Sequence, residues 1–238
     1  MKKNFSKYLA SILVFVFALT TLPMIAQNGN DLEGWSAVEI DLKATKKLSF
    51  SIAEHLRLRN DISTVKNYFT QLKVNYEVLK NFELGGGVRY ITSNDDVGKK
   101  QGLDPFFRYQ FDASYNTEIE KIELFLRLRY QNKNQLGFSE EEGDIAQEFI
   151  RSRLGIGYRI KPLKVNLRLY AEHFNQPSNS KIEDKETRMR YTLKLSRKFK
   201  KIGTFTVFYG VQENEVAQEK TRKAFLGFKY AYRIDFTK

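Results

Sequence analysis

The chain has 238 residues, with 40 Lys+Arg against 28 Asp+Glu for a formal charge of +12, and it has no cysteine. Without a thiol it builds no disulfide framework, no thiolate metal site and no lipid-modified cysteine, and a mean hydropathy of −0.49 is not that of a helical membrane protein. A pI near 9.6 ordinarily points to nucleic acid, but the first residues argue for export and exclude that partner.

Lys2, Lys3 and Lys7 precede the apolar run Leu9 to Leu19, and Met24-Ile25-Ala26-Gln27 follows it. A charged start, a short greasy middle and a small-residue end make residues 1–26 a secretory signal peptide. Met24 departs from the small residue preferred at its position, so the cut after Ala26 is fixed only to within a few residues. The run is shorter than the roughly 20 residues of a spanning helix and is read as cleaved. Removing the three lysines of that segment lowers the formal charge from +12 to +9 and leaves about 210 residues, enough for one sizeable domain.

From Trp35 onward the chain alternates apolar and polar residues with period two, which predicts strands near 35–44, 48–60, 65–79, 82–91, 105–119, 122–131, 148–160, 163–174, 187–199, 203–212 and 223–236. The links at 80–81, 120–121, 161–162 and 200–203 are tight. Between them lie longer polar stretches starting at Thr92, Asn132, Asn175 and Glu213. Short turns at one end and long loops at the other are the pattern of an outer-membrane β-barrel. The fold expected is therefore all-β: an antiparallel up-and-down transmembrane barrel over residues 27–238, with 10–12 strands. Because such barrels normally have an even number, ten or twelve is preferred to the eleven segments visible. The strand carrying Trp35 then begins at the loop end, and either a short strand precedes it or residues 27–44 partly plug the lumen.

Splitting each strand by parity gives two inventories. In 122–131 one face reads Ile122, Leu124, Leu126, Leu128 and Tyr130, the other Glu123, Phe125, Arg127, Arg129 and Gln131. Thirteen arginines take the polar parity: Arg57, Arg59, Arg89, Arg108, Arg127, Arg129, Arg151, Arg153, Arg159, Arg168, Arg188, Arg190 and Arg233. An arginine facing hydrocarbon at mid-depth costs roughly 2–4 kcal/mol, so they point into the lumen. There Asp112, Glu123 and Glu172, with Glu77, Glu83 and Glu118, are the carboxylates available to them. The expected interior is a packed, charge-satisfied ladder, with a narrow anion-selective path as the alternative. Glu54 resists the scheme, since it falls on the apolar parity beside Leu56 and Leu58; a bulge near Ala53 would reset it.

Catalytic signals are thin. His55 takes the lumen parity, where a hydrogen bond in the polar interior is expected. Ser152 and His173 take outward positions on neighbouring strands, and a turn at Lys161-Pro162 pairing Ile160 with Leu163 puts them diagonally close. A lipid-facing hydroxyl beside an imidazole base is what a lipid hydrolase needs, but no outward Asn or Asp stands by to orient the ring. These two are weak candidates only, and no enzyme activity is assigned. The acidic runs at 94–96 and 139–144 lack metal-ligand spacing, and no phosphate-binding glycine loop is present, so neither metal nor cofactor is expected.

Trp35, "HLRLRND" from His55, "GGGVRY" from Gly85, "FLRLRYQ" from Phe125, "IRSRLGIGYRI" from Ile150, "YAEHF" from Tyr170 and "TRMRYTLKL" from Thr187 together resemble the family known as domain of unknown function 2490. The resemblance covers nearly the whole mature chain. It implies an outer-membrane barrel of Gram-negative bacteria with no assigned activity, and it carries over no catalytic residue. The ending "GFKYAYRIDFTK" resembles the aromatic C-terminal signal read by the barrel-assembly machinery, although Phe236 is not the last residue. The partners expected are outer-membrane lipid, lipopolysaccharide and that machinery, for a monomer without nucleic acid. A water-soluble, lipocalin-like periplasmic barrel is the other fold-level reading.

Overall fold

The computed structural model describes residues 31–96, 101–142, 146–177 and 185–237; the expected signal peptide, 1–26, lies outside them. Eleven strands follow in order: β1 (Asp31–Lys43), β2 (Leu48–Arg59), β3 (Thr64–Leu79), β4 (Phe82–Asp95), β5 (Gly102–Ile119), β6 (Ile122–Gln135), β7 (Gln147–Ile160), β8 (Val165–Asn175), β9 (Glu186–Phe199), β10 (Gly203–Val216) and β11 (Glu219–Asp235). A single 3₁₀ turn, Glu140–Glu142, lies between β6 and β7.

Each strand pairs antiparallel with the next, and the sheet closes on itself through β1 and β11. That closing pair is parallel, in register from Asp31 opposite Lys223 to Lys43 opposite Asp235. An up-and-down meander with an odd number of strands brings its first and last strands together running the same way, and parallel pairing is a slightly less stable but sufficient ladder. The expected range of strands contains the number found; the even number preferred within it does not hold. Residues 31–43 pair with β11 and residues 34–43 also with β2, so this described part of the expected 27–44 plug is wall, and β1 itself carries Trp35 up to the loop end; residues 27–30 lie outside the described residues.

Five links at one end are short: 44–47, 80–81, 120–121, 161–164 and 200–202. At the other end, the links at 96–101, 136–146 and 176–185 are longer. The polar stretch from Glu213, expected to be a fourth long loop, instead extends the β10–β11 hairpin to Val216 and Glu219. Its two-residue turn, Ala217-Gln218, has φ of 47° and 70°, the left-handed pair that a type I′ hairpin requires. The turn after β7 takes four residues, with Lys164 at φ 53°, so Ile160 pairs with Val165 and not with Leu163. That moves the register by two residues, which keeps every side chain on its expected face.

The outer face carries Val38, Leu72, Tyr90, Phe111, Leu128, Leu154, Leu169, Tyr191, Val207 and Leu226, all exposed, in a band that water would penalise and hydrocarbon would not. The inner face holds the buried set: Ala53, Phe69, Phe149, Phe174 and Phe225 among polar and charged groups. Glu54 faces outward, opposite Val38 and Thr70. The register irregularity of this strand falls between Arg57 and Leu58, too late to turn Glu54 inward as a bulge near Ala53 would have done. Nothing in the structure explains that outward carboxylate.

Glycine on the inner face makes room for the aromatic filling. At Gly210 an added Cβ would lie 2.2 Å from Phe225 Cζ and 2.5 Å from the Tyr191 carbonyl oxygen. The carbonyl belongs to the wall and cannot swing away. Gly210→Ala is therefore expected to lose about 1–3 kcal/mol of stability, read as an earlier midpoint for urea unfolding of the detergent-solubilised barrel.

Candidate functional site

The lumen is built by parity. Because strands expose alternate residues to one face, every second position from each strand reaches inward, and here those positions are dominated by Arg, Lys, Glu and Gln with interleaved aromatic rings. Their charges sort into three levels along the barrel.

Nearest the short turns, Glu39 of β1 accepts from Lys229 at 2.5 Å and lies 3.8 Å from Lys73. Arg168 Nε donates to Glu123 at 2.9 Å. Arg233, more exposed, sits 3.5 Å from Asp41. Two of these pairs, β3 to β1 and β8 to β6, reach across an intervening strand, so they tie the wall together across the interior as well as along it.

At mid-height Glu172 of β8 is 1% exposed and gathers four guanidinium groups. Arg127 and Arg151 donate to its Oε1 at 2.6 and 2.8 Å, and Arg153 donates to Oε2 at 2.7 Å. Arg190 stands 3.9 Å from Oε2. The register explains why one carboxylate is so crowded: Arg127 opposes Arg153 and Arg129 opposes Arg151 on the paired strands β6 and β7. Like charges facing each other across a ladder repel, and a carboxylate with four lone-pair sites between them reverses the sign. Arg129 is drawn off to Asp112, with bonds of 2.5 and 2.7 Å. Arg151 also donates to Gln131 and lies 4.1 Å from the Phe174 ring.

The aromatic partners are as ordered as the charges. Trp35 stacks on Phe225 with centroids 4.1 Å apart, donates from its indole nitrogen to Glu33 at 2.7 Å, and takes the Arg57 guanidinium at 4.1 Å and that of Arg190 at 5.1 Å. A planar cation over an aromatic face is favourable where water is scarce. His55 stacks on Phe69 at 4.3 Å instead of making the hydrogen bond expected of it.

Toward the long loops the lumen opens into a cavity of about 330 Å³ lined by residues from the loop-end half of the barrel. Among the described residues it is bordered by Arg57, Lys66, Arg89, Arg108, Lys133, Arg188, Arg190 and Lys223, and by two carboxylates, Glu33 and Glu186. Glu33 is taken by Lys66 at 2.6 Å and Lys223 at 3.0 Å, and Glu186 by Arg188. At the rim, Arg59 binds Asp96 at 2.5 Å.

All fifteen residues named for the ladder occur on strands of the barrel: Arg57, Arg59, Arg89, Arg108, Asp112, Glu123, Arg127, Arg129, Arg151, Arg153, Arg168, Glu172, Arg188, Arg190 and Arg233. The geometry gathers Arg127, Arg151, Arg153, Arg190 and Glu172 into one cluster and leaves Arg233 and Arg59 at opposite rims. Sequence reasoning passed over Glu33 and Glu39 because residues 27–44 were open to a plug reading. It also passed over Lys66, Lys73, Lys223 and Lys229. Lys73, Lys223 and Lys229 share the polar parity of the arginines, whereas Lys66 has the parity of Tyr68 and Leu72 and is turned inward only by the bulge between Val65 and Asn67, which alternation does not reveal. Ser152 and His173 are exposed on the outer face and stand directly opposite each other, closer than the diagonal placement expected. Their cross-strand neighbours on the far sides are Leu128 and Met189, neither of which orients an imidazole.

A family model described as a protein of unknown function, DUF2490, matches residues 32–223. The chain belongs to this family. The match runs from the second residue of β1 into β11, so the DUF2490 unit is the barrel itself. A search of curated proteins finds no match. Among solved structures, the chain is similar to an improved crystal structure of Pseudomonas aeruginosa OccK1 (OpdK), at 10% identity and TM-score 0.32, covering 75% of this chain and 54% of that one. It is similar to Pseudomonas aeruginosa OpdK with vanillate at the same identity and TM-score, covering 75% and 53%. The chain thus spans about half the length of the solved structures it matches.

Proposed function

We propose that this DUF2490 chain is a monomeric barrel of the bacterial outer membrane, exported by residues 1–26, with its long loops outside and its lumen sealed at mid-height by the Glu172 cluster. The observation that carries the seal is the burial of Glu172, together with Gln110, Gln212 and Phe225, contributed by four different strands to the inside of one cylinder. Support for the membrane setting comes from the exposed apolar band, which suits acyl chains, and from the charge withdrawn behind it. The proposed role is structural or receptive at the envelope, through outer-membrane lipid and lipopolysaccharide outside and solutes at the loop-end cavity, after insertion by the barrel-assembly machinery. It uses no covalent chemistry.

The rival reading, a narrow anion-selective pore, needs a continuous aqueous path. Such paths are found in wider barrels, near sixteen strands, and the mid-height ion pairs stand where this one would run. Planar bilayers decide between the two. Protein whose insertion has been verified is expected to give no steady single-channel conductance in potassium chloride. Reproducible anion-selective steps would overturn the sealed-lumen reading.

A further inference from the structure

Eight cationic side chains border the loop-end cavity, and their counter-charges are unevenly shared. Among the described residues, Arg57, Arg89 and Arg108 have no carboxylate within ion-pair distance; Glu33 acts on Arg57 and Asp112 on Arg108 only from farther off. Arg57 lies over the faces of Trp35 and Phe69, at 4.1 and 5.2 Å. Arg89 donates through Nε to Gln71 at 2.5 Å and lies 4.5 Å from the Phe69 ring. Arg108 donates one terminal nitrogen to Gln110 at 2.6 Å, and its Nε is buried without a partner. Arg89 and Arg108 face each other in register across β4 and β5, and Arg108 is 7% exposed.

Elsewhere in this lumen, opposed arginines come with a carboxylate between them: Glu172 serves the Arg127–Arg153 pair, and Glu172 with Asp112 serves Arg129–Arg151. The Arg89–Arg108 pair repeats the arrangement with glutamines, Gln71 and Gln110, in place of the acid. Glutamine oxygens orient a guanidinium and neutralise none of its charge. The remaining donor hydrogens belong to a cavity whose volume falls in the range of small-ligand sites, and guanidinium forks match carboxylate and phosphate oxygens.

We infer that the cluster of Arg57, Arg89 and Arg108 in the loop-end cavity is a binding site for a small soluble oligoanion, a solute presenting at least two negative charges on phosphate or carboxylate oxygens. The ligand enters from the loop end and supplies at short range the counter-charge that no carboxylate gives this trio. Lys66 and Lys223 are already engaged by Glu33, which makes the guanidinium trio the selective element.

The test uses the full mature protein in detergent, titrated calorimetrically with inorganic pyrophosphate and with citrate at constant ionic strength, chloride serving as the background anion. Saturable binding at or below roughly 1 mM is expected for at least one probe, with a later urea midpoint in its presence. Arg89→Gln/Arg108→Gln is expected to weaken that binding at least tenfold while its own midpoint stays level or moves later, because like-charge repulsion has been removed. Arg57→Gln, which breaks no hydrogen bond but gives up the contact with the Trp35 face, should weaken binding with only a small change in its own urea midpoint, and Arg197→Gln, on the outer face near the short turns, should leave binding unchanged. No binding by the wild type, or undiminished binding by Arg57→Gln and the double variant, would overturn the site. Binding of a lipid A headgroup that pyrophosphate fails to displace would also overturn it, since that would place the anion on a lipid rather than in solution.

Discussion

Glu172→Gln is expected to lower the unfolding free energy of the barrel by about 3–5 kcal/mol, the range for removing one partner of a buried ion pair. The substitution keeps the size of the side chain and one acceptor oxygen, so the loss measures charge. Arg127, Arg151, Arg153 and Arg190 would face one another with no negative charge between them, inside a lumen where Glu172 is now 1% exposed. Desolvated like charges interact far more strongly than exposed ones, so salt should restore only part of the loss. The chain has a single tryptophan, Trp35, stacked on Phe225 and touched by Arg190, and its fluorescence in urea reports unfolding of this same interior. Glu172→Asp should be milder, since the charge stays and only the reach shortens. A wild-type urea midpoint for Glu172→Gln would mean that the four arginines find their counter-charge elsewhere.

Leu128→Arg is expected to be costly for the opposite reason. Leu128 sits midway along β6 on the outer face and is 61% exposed; in water an arginine there would be harmless. At the midplane of a bilayer it costs roughly 2–4 kcal/mol, falling to about 0–1 near the interface. Leu103 supplies the comparison, because it is 59% exposed but lies at the loop-end start of β5. Refolding into lipid vesicles should therefore be impaired strongly by Leu128→Arg and weakly by Leu103→Arg. Equal and negligible effects would indicate a water-facing wall, as in a lipocalin-like barrel.

These two expectations follow from different parts of what the sequence made legible. Parity is a local property with period two, so the faces of β6 could be assigned from Ile122 to Tyr130 without knowing any pairing partner. The two-residue error at Lys161-Pro162 left every face of β8 intact, because a shift of two preserves parity. Closure is a global property. No pattern within Asp31–Lys43 announces a parallel partner 192 residues further along, and the preference for an even strand number argued against one. The cluster at Glu172 was hidden for a related reason. Arg127, Arg151, Arg153 and Arg190 were recognisable one by one as inward, but which carboxylate served them depended on registers that alternation does not fix. Glu33 and Glu39 escaped notice because their strand was open to a plug reading, although their parity matched that of the inward set.

The claim on which the rest depends is sidedness, and the absence of native cysteine allows it to be read directly. Single cysteines placed in turn from Leu124 to Arg129 would carry a nitroxide in the protein reconstituted into phospholipid, with oxygen and a water-soluble nickel complex as collision partners. Positions 124, 126 and 128 are expected to favour oxygen, as acyl-chain sites do, and positions 125, 127 and 129 to be shielded from it. Accessibility without that two-residue alternation, or with oxygen favoured at 127 and 129, would contradict the account.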